Sequence, residues 1–225
     1  MSAFGKIALG HRLKAIAGAF LVHLRNDTEA QFTTIYRYGT WCIRGARIPR
    51  SGPHATVDTT VKVRKTLANI ITQYRIQTLL DAACGDMTWM PLVLKQYPEL
   101  KYTGIDVVKE LVANNQRKFP EHRFYSANLI EHIPTRCDLI HCREVLNHLK
   151  TKNILRILDN FKKSGSRYLL LNNAPETNRN LDLFLQNGMY RGINWRLPPY
   201  QLEPIEEWEQ DVAGRTYVLM KLGDS

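Results

Sequence analysis

The sequence contains no apolar run near the roughly 18 residues that a membrane-spanning helix needs, and no charged, apolar and small-residue succession of the secretory kind. Cysteine is sparse. Cys42, Cys84, Cys137 and Cys142 form no C-x-x-C pair and have no histidines at zinc-like spacing, so neither a disulfide framework nor a metal site is expected. Internal repeats and low-complexity tracts are missing, which excludes a solenoid or a fibrous chain. What remains is a chain of 225 residues, 44% hydrophobic, long enough to bury a full core without covalent staples. A soluble, cytoplasmic protein with free thiols is the expectation.

Acidic residues are also missing from the first 26 positions. Residues 1–75 hold 12 Lys/Arg against 3 Asp/Glu, a net +9 within a formal total of +10, so the remaining 150 residues are close to neutral. A basic front attracts phosphates, carboxylates, nucleic acid or an acidic membrane surface; equally, it can be a solvated face. Within it, residues 6–25 carry Ile7, Leu13, Ile16, Phe20, Leu21 and Leu24 at helical spacing, with Lys6, Arg12, Lys14 and Arg25 between them. A helix packed on the body is favoured over a membrane-surface helix or a transit peptide, and Gly10 and Gly18 weaken it. Residues 32–58 read as irregular because Gly39, Gly45, Pro49, Gly52 and Pro53 interrupt them, and their arginines and aromatics suggest either a lid over a pocket or a patch that touches the body. The chain thus divides into a basic N-terminal helix and lid-like extension, 1–58, and a body, 59–225. Asp58 is placed to cap a helix with Val63, Leu67, Ile70, Ile71 and Tyr74 on one face.

From Thr78 onward short apolar runs alternate with helical segments, the pattern of a mostly parallel sheet covered by helices on both faces. Strands are predicted at 78–83, 101–106, 122–126, 138–142 and 166–172. Helices are predicted near 88–97, 109–118 and 148–163, the last with Ile154, Leu155, Leu158 and Phe161 inward. Residues 205–210 and 216–222 read as a terminal antiparallel hairpin, which makes seven strands. The segment before it is rich in Asn and Pro and too long for a passive connection, with a short helix as one option at 180–187.

Leu79-Leu80-Asp81-Ala82-Ala83-Cys84-Gly85-Asp86 is an apolar strand that runs into small residues and then a helix. In an open α/β sheet ligands sit beyond the carboxyl ends of the strands, where small residues allow close approach. Asp106 ends the next strand about twenty residues later, where a carboxylate can accept both ribose hydroxyls. A dinucleotide would satisfy that acid, but its pyrophosphate needs a G-x-G-x-x-G turn. Here only Gly85 is present and Asp86 adds an anion, which suits a ligand carrying an ammonium and a sulfonium.

On these motifs and this order of elements, residues 60–222 resemble the class I S-adenosylmethionine-dependent methyltransferases, a Rossmann-like fold. The run Asp81 to Met90 is similar to a D-x-P-C-G-D-F-x-W-M variety, with Ala83 in place of the proline. The resemblance implies S-adenosylmethionine as cofactor. It implies that Asp81, Ala82, Ala83, Cys84 and Gly85 border the methionine moiety and that Asp106 holds the ribose. Val107, Asn128 and Leu129 would then flank the adenine.

The segment 138–149 ends the fourth strand beside the place where a methyl group would meet its acceptor. Transfer to a hydroxyl or ammonium requires a base, for which Glu144 and His148 are the candidates, with Arg143 orienting an acidic group. A helix-start role for His148 and a mutual Arg143–Glu144 pair are the plainer alternatives. Trp41, Arg44, Arg47 and Ser51 from the first irregular stretch, and Asn172, Asn173, Asn178, Arg191 and Asn194 from the second, are expected to close the acceptor pocket. They suggest a hydrophilic, anionic small molecule or glycan; those polar side chains could equally satisfy loop backbones. A nucleic-acid acceptor is the competing reading, supported by the basic front but lacking an N/D-P-P-Y/F tetrad. A non-catalytic scaffold is the third reading.

Overall fold

The computed structural model describes residues 13–22, 27–42, 48–183, 189–210 and 214–223. Seven strands form one sheet: β1 (Thr78–Ala82), β2 (Lys101–Asp106), β3 (Arg123–Ser126), β4 (Leu139–Cys142), β5 (Tyr168–Asn173), β6 (Glu206–Glu209) and β7 (Thr216–Lys221). Their order is β3-β2-β1-β4-β5-β7-β6. The first five pair in parallel, and β7 runs antiparallel to both β5 and β6. Parallel strands are covered on both faces and therefore need unbroken apolar runs. Leu79 and Leu80, Leu139 and Ile140, and Leu169 to Leu171 supply them, all essentially inaccessible. The chain departs in opposite directions from β1 and β4, which leaves a crevice beyond their carboxyl ends.

The helices surrounding the sheet are α1 (Thr28–Tyr38), α2 (Val61–Gln73), α3 (Met90–Leu94), α4 (Lys109–Lys118) and α5 (Thr151–Lys163). α1 starts ahead of the stretch 32–58 that the breakers suggested was irregular and runs into it as far as Tyr38. Asp27 caps it by accepting the Ala30 N–H at 2.7 Å, and Gly39 closes it with φ 64°. Its buried face mixes Phe32 and Ile35 with Gln31 and Thr34, which hides the helical period from an apolar count. Asp58 does not cap α2; it opens a 3-10 turn, Asp58–Thr60, that leads into the helix. The helix expected at 88–97 is only Met90–Leu94. In α5 the inward positions are Ile154, Ile157, Leu158 and Phe161, whereas Leu155 is outward, since Ile157 fits the i, i+3, i+4, i+7 stripe.

Residues 13–22 are helical, in accord with part of the predicted basic helix; residues 6–12 and 23–25 lie outside the described residues. Ala15, Gly18 and Val22 face inward, and a Cβ on Gly18 would lie 2.4 Å from Cβ of Tyr38. Leu13, Ile16 and Phe20, expected to pack inward, are exposed to 60%, 56% and 68%. The small side chains make the closer contact and turn the large ones outward. The long segment after β5 has no regular structure over 180–183, and 184–187 lies outside the described residues. Among the described residues no helix is long and apolar enough to cross a membrane.

Candidate active site

A cleft opens at the carboxyl ends of β1, β2 and β4, as the topology requires. Of the nine residues expected around a cofactor, Asp81, Ala83, Cys84, Gly85, Asp106, Val107, Asn128 and Leu129 line it. Ala82 is fully buried within β1 and does not reach it. α1 and the segment after it form the opposite wall, with Phe32, Ile35, Trp41, Arg50, Ser51 and His54.

The turn after β1 has little freedom. Gly85 has φ 58°, and a Cβ there would stand 2.5 Å from Oγ of Ser51. Its N–H donates to Oδ2 of Asp106 at 3.1 Å, and its carbonyl accepts from Nδ2 of Asn115 at 2.7 Å. Ser51 and Asp86 bond reciprocally. The Asp86 N–H donates to Oγ of Ser51 at 2.9 Å, and the Ser51 N–H donates to Oδ2 of Asp86 at 3.3 Å.

Two acids stand at the strand ends in different electrostatic settings. Asp106 also accepts the Val108 N–H at 3.0 Å. Burial nevertheless outweighs these backbone hydrogen bonds and pushes its pKa up to about 6. Asp81 is enclosed by other side chains: Tyr102 donates its hydroxyl to Oδ2 at 2.9 Å, and Nδ1 of His141 lies 2.8 Å from Oδ1. His141 is opposite Asp81 in the β1–β4 register, lines the cleft, and meets the Trp89 ring edge-on at 5.6 Å. Its Nε2 is buried without a hydrogen-bond partner.

Beyond β4, Arg143 and Glu144 both line the cleft. They are not paired with each other as the plainer alternative had it. Arg143 donates from Nε to the Tyr217 hydroxyl at 3.1 Å and from Nη2 to the His54 carbonyl at 2.9 Å, and it lies over the Trp89 ring. Glu144 has φ 54°, a left-handed conformation unusual for a residue with a side chain and concentrated at functional sites. Its N–H donates to Oδ1 of Asn172, Oε2 accepts from Asn147 at 3.0 Å, and Oε1 lies 3.7 Å from Nη1 of Arg215 without a hydrogen bond. Burial lowers the pKa of His54, with Glu144 opposing and Arg215 and Arg143 reinforcing the shift. His148 is not part of the lining; its ring lies 4.8 Å from Trp41 and 5.7 Å from Tyr190, with Nδ1 3.0 Å from the Met189 carbonyl oxygen.

Of the predicted acceptor contacts, Trp41 and Ser51 line the cleft, and Arg44 and Arg47 lie outside the described residues. Asn173 and Arg191 are elsewhere. Asn173 is buried against the hairpin, donating to Thr216 at 3.1 Å and accepting the Trp195 N–H at 3.2 Å. Arg191 ties the long segment to α5, donating to the Leu149 carbonyl at 3.0 Å and Oγ1 of Thr151 at 3.2 Å. Asn194 likewise bonds the carbonyls of Pro175 and Thr177. A loop without a ladder must satisfy its backbone this way, so these side chains serve the fold. Asn115 and His141 were not singled out from the sequence, because each acts through a partner 30 or more positions away. Among the described residues no group of three or more His, Cys, Asp or Glu side chains is placed to hold a metal ion.

Residues 80–164 match the family model described as a methyltransferase domain. No curated protein sequence matches the chain. Solved structures with the same fold include an S-adenosylmethionine-dependent methyltransferase from Clostridium acetobutylicum, 12% identical, with a TM-score of 0.54 over 72% of this chain and 91% of that one. A second is magnesium protoporphyrin IX methyltransferase from Synechocystis PCC 6803 with bound SAH, 14% identical, TM-score 0.50, covering 73% and 85%. A third is the methyltransferase domain of bacterial CtHen1, 14% identical, TM-score 0.53, covering 71% and 97%. The seven-stranded sheet with its antiparallel β7 is therefore the Rossmann-like methyltransferase fold.

Proposed function

We propose that this chain, with its methyltransferase domain, moves the methyl group of S-adenosylmethionine onto an oxygen or nitrogen of an anionic small molecule or glycan. The observation that carries this reading is the sharing of one cleft by two unlike polar groups. Asp81 and Asp106 stand at the β1–β2 end, and Arg143, Glu144 and His54 at the β4 end. The first group suits the cofactor. Asp106 retains acceptor capacity for ribose hydroxyls, Val107 and Leu129 offer apolar walls to a purine, and the orphaned Nε2 of His141 awaits a polar partner. Oδ1 of Asn128 accepts the Ile130 N–H at 3.1 Å, leaving its NH2 for the ring edge.

When bound, S-adenosylmethionine supplies a methyl group made electrophilic by its sulfonium. The chain's own residues align the acceptor, exclude water and take its proton. Glu144 is the base, held by Asn147 on one oxygen and facing Arg215 at 3.7 Å, without a hydrogen bond, on the other. Arg143 and Arg50 hold the acidic group of the acceptor, and Trp41 and Trp89 stack on its apolar or sugar face. His148 supports Trp41 rather than acting as a base. Residues 1–58 supply the lid.

Methyl transfer from isotopically labelled S-adenosylmethionine tests the reading with a panel of carboxylated sugars, phosphorylated metabolites and RNA. Label in an acidic small molecule or sugar is the expected result. Label in RNA, with steeply salt-dependent binding, refutes the acceptor class. Replacing Glu144→Gln should lower kcat by roughly a hundredfold or more while leaving affinity for S-adenosylhomocysteine within about twofold.

A further inference from the structure

Two side chains lining the cleft keep a buried polar atom without a hydrogen-bond partner, Glu144 at Oε1 and His141 at Nε2, and of these only His141 is bonded to Asp81. We propose that His141 is the direct receptor for the α-ammonium of the cofactor's amino-acid end, with Asp81 acting behind it. This rests on the S-adenosylmethionine reading above.

A carboxylate beside a cationic ligand ordinarily takes the ammonium itself. Here each oxygen of Asp81 already accepts one protein donor, Oδ2 from the Tyr102 hydroxyl at 2.9 Å and Oδ1 from the imidazole at 2.8 Å, so an ammonium would have to share them, whereas Nε2 of the imidazole has no donor at all. The carboxylate also decides the tautomer. A bare Nδ1 would set a lone pair against a carboxylate oxygen, so Nδ1 carries the proton and donates it, and Nε2 is left as an acceptor. That Nε2 is buried, has no protein partner, and belongs to a side chain only 2% exposed. A buried acceptor without a donor is unfavourable, and a ligand N–H relieves it. The donor must be one that reaches the floor of the cleft, because His141 lies within β4 beside Asp81, across β1 from Gly104 and before Arg143 and Glu144 in the chain. An acceptor hydroxyl meeting Glu144 is farther out along the strand. The buried anion polarises the imidazole, so negative potential reaches the ammonium through the ring. Trp89 meets the imidazole edge-on at 5.6 Å, and the guanidinium of Arg143 is held over the Trp89 ring by its own bonds to Tyr217 and the His54 carbonyl.

The test compares two ligands by calorimetry. S-adenosylhomocysteine carries the amino-acid end; 5′-methylthioadenosine lacks it. His141→Asn retains a donor to Asp81 and removes the Nε2 acceptor; His141→Gln returns an acceptor near the Nε2 position. The asparagine variant should bind S-adenosylhomocysteine about tenfold to a hundredfold more weakly and methylthioadenosine unchanged, with partial recovery in the glutamine variant. In the unmodified protein, the ¹⁵N resonance of His141 Nε2 should move with S-adenosylhomocysteine and stay with methylthioadenosine, a readout that needs no variant to fold. Equal losses for both ligands, or an Nε2 resonance indifferent to the amino-acid end, overturn the proposal while the cofactor reading stands. A general-base role for the pair would leave both affinities intact and reshape the pH profile of kcat, which overturns it too. Failure of the unmodified protein to bind either adenosyl ligand removes the cofactor reading, and this proposal with it.

Discussion

Lowering the pH from 7 to 5 should weaken binding of S-adenosylhomocysteine about tenfold, and the reason lies in one carboxyl group. Asp106 is 8% exposed and titrates at about 6 in the free protein, because burial disfavours its charge more than the N–H donors of Gly85 and Val108 favour it. Ribose hydroxyls donating to the same oxygens stabilise the charged form, so the ligand binds the ionised state. With a free pKa near 6, that state is about 90% populated at pH 7 and about 10% at pH 5. The apparent dissociation constant therefore rises by roughly a factor of ten, or about 1.4 kcal/mol. Titration calorimetry at fixed ionic strength, in buffers of differing ionisation enthalpy, reads both the affinity and the proton released on binding near pH 6. Burial lowers the pKa of His54, but that residue belongs to the acceptor end, so Asp106→Asn should abolish the slope while His54→Gln should not. Affinity that is flat between pH 7 and 5, or a slope that survives Asp106→Asn, refutes the reasoning.

Gly85→Ala should destabilise the protein by about 1–2 kcal/mol and weaken adenosyl-ligand binding, because the new methyl meets Ser51 at a left-handed φ; chemical denaturation and calorimetry check the two effects. Asp138 clasps the start of β1, accepting from the N–H groups of Gln77 and Thr78 and from the Thr78 hydroxyl, and it pairs with Arg167 at 3.1 Å. Partial burial raises its pKa, but these donors prevail and hold it below the ordinary value, so its contribution is present at neutral pH and lost as pH falls through that depressed pKa, below about 4. Asp138→Ala should reduce stability by roughly 2–3 kcal/mol at pH 7, with the difference from the unmodified protein shrinking in acid, as followed by urea melts. Arg191→Ala should speed proteolysis within residues 174–202, and an unchanged digestion pattern would show that its carbonyl bonds do not hold the segment.

The sheet was legible because its central strands β1, β4 and β5 are short apolar runs of a length that buries both faces, and each observed strand falls within two residues of its predicted bounds. The positions of Asp81 and Asp106 were legible for a related reason: the topology dictates where strands end, so an acid in a terminal position announces itself. α1 was not, since polar Gln31 and Thr34 occupy its buried face. The assignment of Asn173 and Arg191 to an acceptor pocket followed residue chemistry alone. Their placement depends on which carbonyls lack partners, and that becomes visible only once the chain is folded. His141 shows the opposite case: in sequence it is one more residue of a buried strand, and only its register against Asp81 gives it a partner.

The mutual bonds of Ser51 and Asp86 bear on how the two parts of the chain depend on each other. They fasten the front of the protein to the very turn on which the sheet's binding crevice is built. A shortened protein starting at residue 59 would keep its sheet and lose a wall, together with the aromatic and basic side chains mounted on it. On the acceptor class proposed above, exchanging the front would replace one wall of the acceptor pocket while Arg143 and Glu144 of the body stay in place, provided the new front keeps a partner for Asp86.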